Sequence, residues 1–105
     1  MNFQEYLNHL VADYSAYMGR SHSVSEERAA SMIEEFSNKL TVKVGKKYTK
    51  VIAGSSAHSF IVMEDDGKFR KGDILKPAGW SAPAKNFARG NILKGNFEQT
   101  RWSGL

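Results

Sequence analysis

The fold is decided by the stretch Thr41-Val42-Lys43-Val44-Gly45-Lys46-Lys47-Tyr48-Thr49-Lys50-Val51-Ile52. Up to residue 40 the apolar residues recur with a helical period, and from Thr41 they alternate as in a strand. β-branched and aromatic residues lie on both sides of Gly45-Lys46-Lys47, which predicts a hairpin turn. The sequence therefore predicts one α+β domain over residues 1–105, with a helical unit at 1–39 and a basic β-rich unit at 40–105.

Two helices are predicted before the hairpin. The first covers roughly residues 3–18, and Gly19 is its expected stop. Its apolar stripe is Phe3, Tyr6, Leu7, Leu10, Val11, Tyr14, Tyr17 and Met18. The second helix runs to about residue 38, with either Ser23 or Ser25 as its N-cap. It is expected to bury Ala29, Met32, Ile33 and Phe36.

The rest of the chain predicts short strands separated by turns. We expect strands at residues 59–63, 73–76, 91–93 and 97–102. A two-turn helix is predicted at residues 82–88, with Pro83 in its first turn and Phe87 as its buried anchor. The simplest assembly packs the N-terminal two-helix unit on a small, mostly antiparallel sheet or a partial barrel.

The composition limits the class of protein. Hydrophobic residues make up 41% of the chain, but no apolar run approaches the ~20 residues that span a bilayer. The first residues lack the basic and apolar layout of a secretory signal. There is no cysteine, which excludes disulfides and thiolate metal sites and suits a reducing cytoplasm. We expect a cytoplasmic protein with no membrane contact and no cofactor.

The charge is distributed unevenly along the chain. Residues 1–38 hold two basic and six acidic side chains, a net charge of −4, whereas residues 39–105 hold thirteen and five, a net charge of +8. Such a basic half favours a polyanion, which could be nucleic acid or an acidic protein surface. The alternative is that the charge serves solubility alone.

The stretch from Lys71 to Asn91 is predicted to form the binding surface. It contains both prolines and one of the two tryptophans, and its spacing is that of a shaped surface segment. Trp80 lies between Gly79 and Ser81, which favours an exposed ring able to stack on a base, although it could instead close the end of the sheet. The predicted nucleic-acid or partner-binding residues are Lys46, Lys47, Lys71, Lys76, Trp80, Lys85, Asn86 and Arg89.

Catalytic and metal sites have little support in the sequence. His58 lies among three serines, which permits a small hydrolase as a third hypothesis, but no nucleophile elbow or orienting carboxylate can be named. The three histidines are not spaced as zinc ligands, and the acidic residues do not match a calcium loop. We therefore assign no catalytic residue and no metal ligand.

A resemblance to phage proteins adds a biological setting. Residues 72–78 and 82–91 resemble small uncharacterised proteins encoded by tailed bacteriophages, as do residues 25–29 and 101–104. No activity or functional residue is assigned to that group, so the resemblance implies only a phage origin. It implies action in the cytoplasm of an infected bacterium, or else a place in the virion.

Together these features predict a non-enzymatic phage accessory protein that binds nucleic acid through a basic surface containing aromatic residues. Little sequence preference is expected, because the candidate contacts are phosphates and base faces. The alternative is a protein-interaction module that binds an acidic site on a host protein. In that case the same lysines would steer association and Trp80 would anchor it.

Overall fold

Two N-terminal helices precede a four-stranded antiparallel sheet in the computed structural model, which describes residues 2–20 and 24–105. The helices are α1 (Phe3–Gly19) and α2 (Glu26–Lys39). The strands are β1 (Leu40–Lys43), β2 (Tyr48–Ala53), β3 (Ser56–Val62) and β4 (Ile74–Leu75), paired in chain order with β1 and β4 at the edges. The α+β prediction is confirmed, and the described strands form the sheet rather than the partial barrel.

Helix α1 packs an apolar stripe against the sheet. Its N-terminus is capped by Asn2, whose side-chain oxygen accepts a hydrogen bond from the backbone N–H of Glu5 at 3.3 Å. Residues four apart lie on one side of a helix, and the buried residues follow that spacing: Tyr6, Leu10, Tyr14 and Met18. The predicted stripe is thus confirmed, except that Tyr17 lies at its edge and is 47% exposed.

Helix α2 is less buried than its sequence predicts. Ser25 is its N-cap and accepts a hydrogen bond from the Arg28 N–H at 3.2 Å, while the competing cap Ser23 lies outside the described residues. No residue of α2 is fully buried; its apolar positions Ala29, Met32, Ile33 and Phe36 are only half covered. The expected burial was too large because the neighbours of α2, which are α1, β1, β2 and the Trp102 ring, leave its apolar residues partly open.

The pairing of β2 with β3 contains an extra residue. Val51 pairs with Ser59 and Ile52 pairs with Ala57, which leaves His58 between the two pairs. Such a β-bulge can re-aim a side chain. Here His58 and Ser59 are both buried, and His58 Nδ1 lies 3.1 Å from Ser59 Oγ.

The two sides of the sheet carry separate cores. On the helix side, Tyr6 and Leu10 of α1 pack with the strand residues Val51, Ile61 and Ile74. On the opposite side a smaller core consists of Phe60, Val62, Phe69 and Leu75. Because neighbouring strand residues point to opposite faces, Ile74 belongs to the first core and Leu75 to the second.

The second core is covered by an extended segment, residues 77–90, which we call the strap. The helix predicted at residues 82–88 is wrong, because no helix forms there and backbone groups of residues 84 and 89 bond to β4 and its flank. Arg89 N donates to the Ile74 carbonyl at 2.7 Å, and Ala84 N donates to the Lys76 carbonyl at 2.7 Å. Phe87 is consequently 56% exposed, and Ala88 is the strap residue that packs on the core.

Residues 91–105 form turns in place of the two strands predicted there. Only isolated bridges occur, such as those joining Asp73 to Asn91 and Arg101 to Gly104. The Asn91 side chain explains part of this: its Nδ2 donates to the Lys71 carbonyl and to Asp73, while its Oδ1 accepts from the backbone N–H groups of residues 93 and 94. Local side-chain bonds of this kind compete with strand pairing.

Candidate nucleic-acid interface

The sheet side opposite the helices presents lysines beside an exposed indole. Lys43 and Lys50 form a directly opposed pair on β1 and β2, and Lys50 is also opposed to Phe60 on β3. Lys50 Nζ lies 3.9 Å from the centre of the Trp80 ring and 5.8 Å from that of Phe60. Trp80, carried by the strap, remains 51% exposed. An ammonium over an indole face is a cation–π contact, and half of the tryptophan stays open to solvent.

Two further lysines lie near the Tyr48 ring, on the sheet side opposite the helices. Lys47 Nζ and Lys85 Nζ each lie 5.7 Å from the centre of its ring. Lys68 Nζ donates to the Lys85 carbonyl oxygen at 2.9 Å, so the turn after β3 joins the group. The Tyr48 hydroxyl raises the pKa of Lys85, although the two groups stay outside the geometry of a formed hydrogen bond. Lys85 therefore carries its charge at neutral pH.

We call this group the cationic face; its members are Lys43, Lys47, Tyr48, Lys50, Lys68, Trp80 and Lys85. They come from β1, the turn after it, β2, the turn after β3 and the strap. A cavity of about 260 Å³ lies among them, lined in part by Lys43, Tyr48 and Ser81. The turn after β3 also carries acidic residues and borders one edge of the cationic face, where the Asp66 carboxylate lies 3.9 Å from Lys47 Nζ. Both groups of that pair are exposed, so its energy is small.

The residues predicted as a binding site are divided among several places. Lys47, Trp80 and Lys85 lie on the cationic face, and Lys46 is exposed in the hairpin turn beside them. Lys76 lies on the helix side, in a cavity with Phe36 of α2 and Trp102.

The remaining three predicted site residues lie along the loops. The backbone N–H of Lys71 donates to Asp65, and Asn86 is exposed and accepts from the Phe87 N–H at 3.1 Å. Arg89 is half-buried; its Nη1 donates to the Leu105 carbonyl at 3.1 Å and its guanidinium lies 4.1 Å from the centre of the Phe87 ring.

Four members of the cationic face are absent from the predicted site: Lys43, Tyr48, Lys50 and Lys68. Two of them had a signal in the sequence, since Lys43 and Lys50 are opposed across the hairpin once its register is known. Tyr48 and Lys68 are brought in by the strap through Lys85, and no local pattern indicates that contact.

Two other aromatic rings of the basic half are used in packing. Phe69 is fully buried in the second core. Trp102 is half-buried and lies against Tyr14 and Phe36, with ring centres 4.7 and 5.9 Å apart. Of the two tryptophans, Trp80 is therefore the one whose ring is exposed on the strap side and open to stacking.

The histidine and serine cluster forms a buried hydrogen-bond chain. His58 Nε2 lies 2.7 Å from the Arg101 carbonyl and donates to it, which leaves Nδ1 to accept from the Ser59 hydroxyl. The Tyr6 hydroxyl lies 2.9 Å from Ser59 Oγ and donates in turn. Burial lowers the pKa of His58 and raises that of Tyr6. This chain ties α1, β3 and the C-terminal turns together, and Ser59 has no exposed surface.

Within residues 2–20 and 24–105, no three histidine or acidic side chains converge on a position for a metal ion. In the same ranges, no helix has the length and the apolar content needed to cross a membrane.

Comparisons with known proteins identify a family without an assigned role. No curated protein and no solved structure matches the chain significantly. A family model does match it, over residues 1–105, and that model is described as a family of unknown function. Because the match covers every residue, the chain belongs to the DUF7717 family.

Proposed function

We propose that the protein is a non-enzymatic accessory protein that binds nucleic acid through the cationic face, with little sequence preference. The observation that carries the proposal is the position of Lys50 Nζ, 3.9 Å from the centre of a tryptophan ring that is half exposed. The lysines can neutralise phosphates and release their counterions, while Trp80 offers a flat apolar surface to a base.

Single strands suit this surface better than duplexes. Stacking on Trp80 requires an unpaired base, and such stacking contributes about 1–3 kcal/mol per base. The cavity of about 260 Å³ between the first hairpin and Ser81 of the strap provides a concave site near the Trp80 ring. The five lysines, each from a different segment of the chain, then contact the sugar–phosphate backbone. We expect DNA and RNA single strands both to bind.

Fluorescence anisotropy with labelled homopolymer single strands and a matched duplex tests the proposal. The wild-type chain should bind the single strand more tightly, and the logarithm of its affinity should fall linearly as the logarithm of salt concentration rises. Trp80→Ala should weaken binding by roughly 5- to 150-fold, the equivalent of about 1–3 kcal/mol. Lys50→Ala should weaken binding and also make the salt dependence shallower by about 0.7 in slope.

Lys94→Ala is the matched control, because Lys94 is exposed and lies away from the cationic face. It should reduce affinity far less than Lys50→Ala does. Equal losses in the two lysine variants would mean that overall charge, and not this surface, drives binding. Absence of binding to either nucleic acid at low salt would reject the proposal.

The setting we propose is the cytoplasm of a bacterium infected by a tailed phage. The support is the resemblance of residues 72–78 and 82–91 to phage proteins, together with the positive charge of the second half. A tagged chain produced during infection should appear in the cell lysate with nucleic acid attached. Its recovery in purified virions would place it in the particle instead.

A second candidate is a module that binds an acidic site on a host protein. Trp80 favours it, because tryptophan is enriched among interface anchors and this ring is half exposed beside Lys50. A pull-down from nuclease-treated lysate separates the two functions: an acidic protein that survives nuclease and is lost with Trp80→Ala supports the module. Loss of all captured material on nuclease treatment supports nucleic acid.

A further inference from the structure

A second concave site lies on the helix side of the sheet, away from the cationic face. It is a cavity of about 490 Å³ between the end of α2, the β2–β3 turn, the residues after β4 and the C-terminal turns. We propose that this cavity binds a small aromatic carboxylate, with the ring inside and the carboxylate at the lysines on its rim. This inference is independent of the nucleic-acid proposal.

The size and the walls of the cavity suit an aromatic ring. Small-molecule sites commonly measure about 300–1,000 Å³ and are mostly apolar with a few placed polar groups. The apolar walls come from different parts of the chain: Phe36, Ala53, Ala57, Pro77, Trp102 and Leu105. The Phe36 and Trp102 rings meet nearly at right angles, at 86°, with 5.9 Å between their centres. Two such rings offer one face and one edge to a third ring.

The rim supplies positive charge from two lysines, one of which is paired with a carboxylate outside the cavity. Lys39 from the end of α2 and Lys76 from beyond β4 both line the cavity, and no aspartate or glutamate lines it. Lys39 is paired with Glu35 at 3.5 Å, but both groups are exposed, so a bound anion can compete for the ammonium. In the described part of the chain Lys76 makes no ion pair. Two ammonium groups favour a ligand whose polar end is an anion over a ligand with a neutral polar end.

The wall that carries Trp102 is held in place by bonds outside the cavity. The Trp102 backbone N–H donates to Asp13 at 2.9 Å, and the indole lies against Tyr14. The Arg101 carbonyl, one residue earlier, accepts from His58 at 2.7 Å. The cavity is therefore formed before any ligand arrives, which limits the ordering cost of binding.

Isothermal titration calorimetry with 1-naphthaleneacetate tests the site, and 1-naphthaleneacetamide is the neutral probe of nearly the same shape. We expect the carboxylate to bind more tightly than the amide. Lys76→Ala should weaken carboxylate binding roughly tenfold and leave amide binding nearly unchanged, because one charged contact is lost. Equal affinity for the two probes would overturn the assignment of an anionic ligand.

Two further variants locate the binding. Ser56 is exposed on the cavity rim, so Ser56→Trp should fill the cavity without disturbing the core and abolish binding of both probes. Lys94→Ala, away from the cavity, should leave both affinities unchanged. In an NMR titration the Trp102 indole N–H signal should shift on adding 1-naphthaleneacetate, and that of Trp80 should not. Retained binding in Ser56→Trp, or a shift at Trp80 alone, would show that the probe binds elsewhere; no heat and no shift would overturn the proposal.

Discussion

The two sides of the sheet are covered by different means. On one side α1 buries a regular stripe, so that Tyr6 and Leu10 have no exposed surface. On the other side the strap crosses the smaller core, held mainly by backbone hydrogen bonds to β4 and its flank, with one alanine as its core contact. The helix covers its side closely, whereas the strap leaves Trp80 and several lysines open. Stability is thus concentrated on the helix side, and the exposed lysines and tryptophan of the cationic face lie along the strap side.

The largest expected effect belongs to the helix side. Leu10→Ala should destabilise the fold by about 2–5 kcal/mol, because a completely buried side chain is replaced by a cavity. Urea unfolding followed by circular dichroism measures the change. Leu93→Ala is the control, since Leu93 is exposed and should change stability by no more than about 0.5 kcal/mol. If Leu10→Ala and Leu93→Ala lowered the unfolding free energy by similar amounts, the helix side would not be the more stabilising of the two.

An intermediate effect is expected where the loops after β3 meet. Gly72 has φ +94°, and a Cβ there would lie 2.7 Å from Asn91 Oδ1. Gly72→Ala should therefore cost about 1–3 kcal/mol in unfolding free energy. On the strap, Gly79 has open space around it, and Gly79→Ala should have little effect on the same urea titration. A large loss of unfolding free energy in Gly79→Ala would mean that the strap is packed as tightly as the loop that contains Gly72.

The pH dependence of stability reports on the buried chain of hydrogen bonds. Burial lowers the pKa of His58 in the folded state, so below about pH 6.5 the unfolded chain binds more protons than the folded one. The free energy of unfolding should thus fall as the pH is lowered from about 6.5 through the folded-state pKa. His58→Gln should flatten this part of the profile. An unchanged slope in the variant would assign the effect to other groups.

The smallest effect is expected on the strap. Phe87 is 56% exposed and has one cation–π contact, with Arg89, so Phe87→Ser should lower the unfolding free energy by no more than about 1 kcal/mol. If residues 82–88 formed the helix that their sequence suggests, Phe87 would be its buried anchor and the loss would be about 3 kcal/mol or more. Thermal unfolding distinguishes the two cases. A large loss would contradict the extended strap.

The parts of the fold that local sequence could predict are those whose partners lie nearby. The α1 stripe and the first hairpin follow from periodicity and one turn. The strap does not, because the groups that compete for its backbone are on β4, which is remote from any pattern within residues 82–88. Within the strap itself, Pro77 and Pro83 form an isolated bridge, so the chain turns back on itself before residues 84 and 89 bond to β4 and its flank.

The candidate site was predictable to a similar extent. Trp80 and Lys85 could be identified from composition, but Lys43 and Lys50 become members only when the strand register is known. Lys76 is separated from the cationic face only once the structure shows that Leu75 packs under the strap, because its neighbour then points to the opposite side of the sheet. Charge along the chain does not reveal which face a side chain occupies.

The bulge at His58 has a consequence for insertions and deletions. At that point β3 carries one more residue than β2. His58 and Ser59 are neighbours in the sequence, yet both side chains lie against Tyr6 of α1. Deleting His58 would make Ala57 and Ser59 consecutive, as their partners Ile52 and Val51 already are, so the pairing would become regular and both residues would keep their faces. The bond from His58 to the Arg101 carbonyl would be lost. A one-residue deletion in the regularly paired part of β3 would instead turn side chains to the opposite face, so the bulge is the position at which this strand can best change its length.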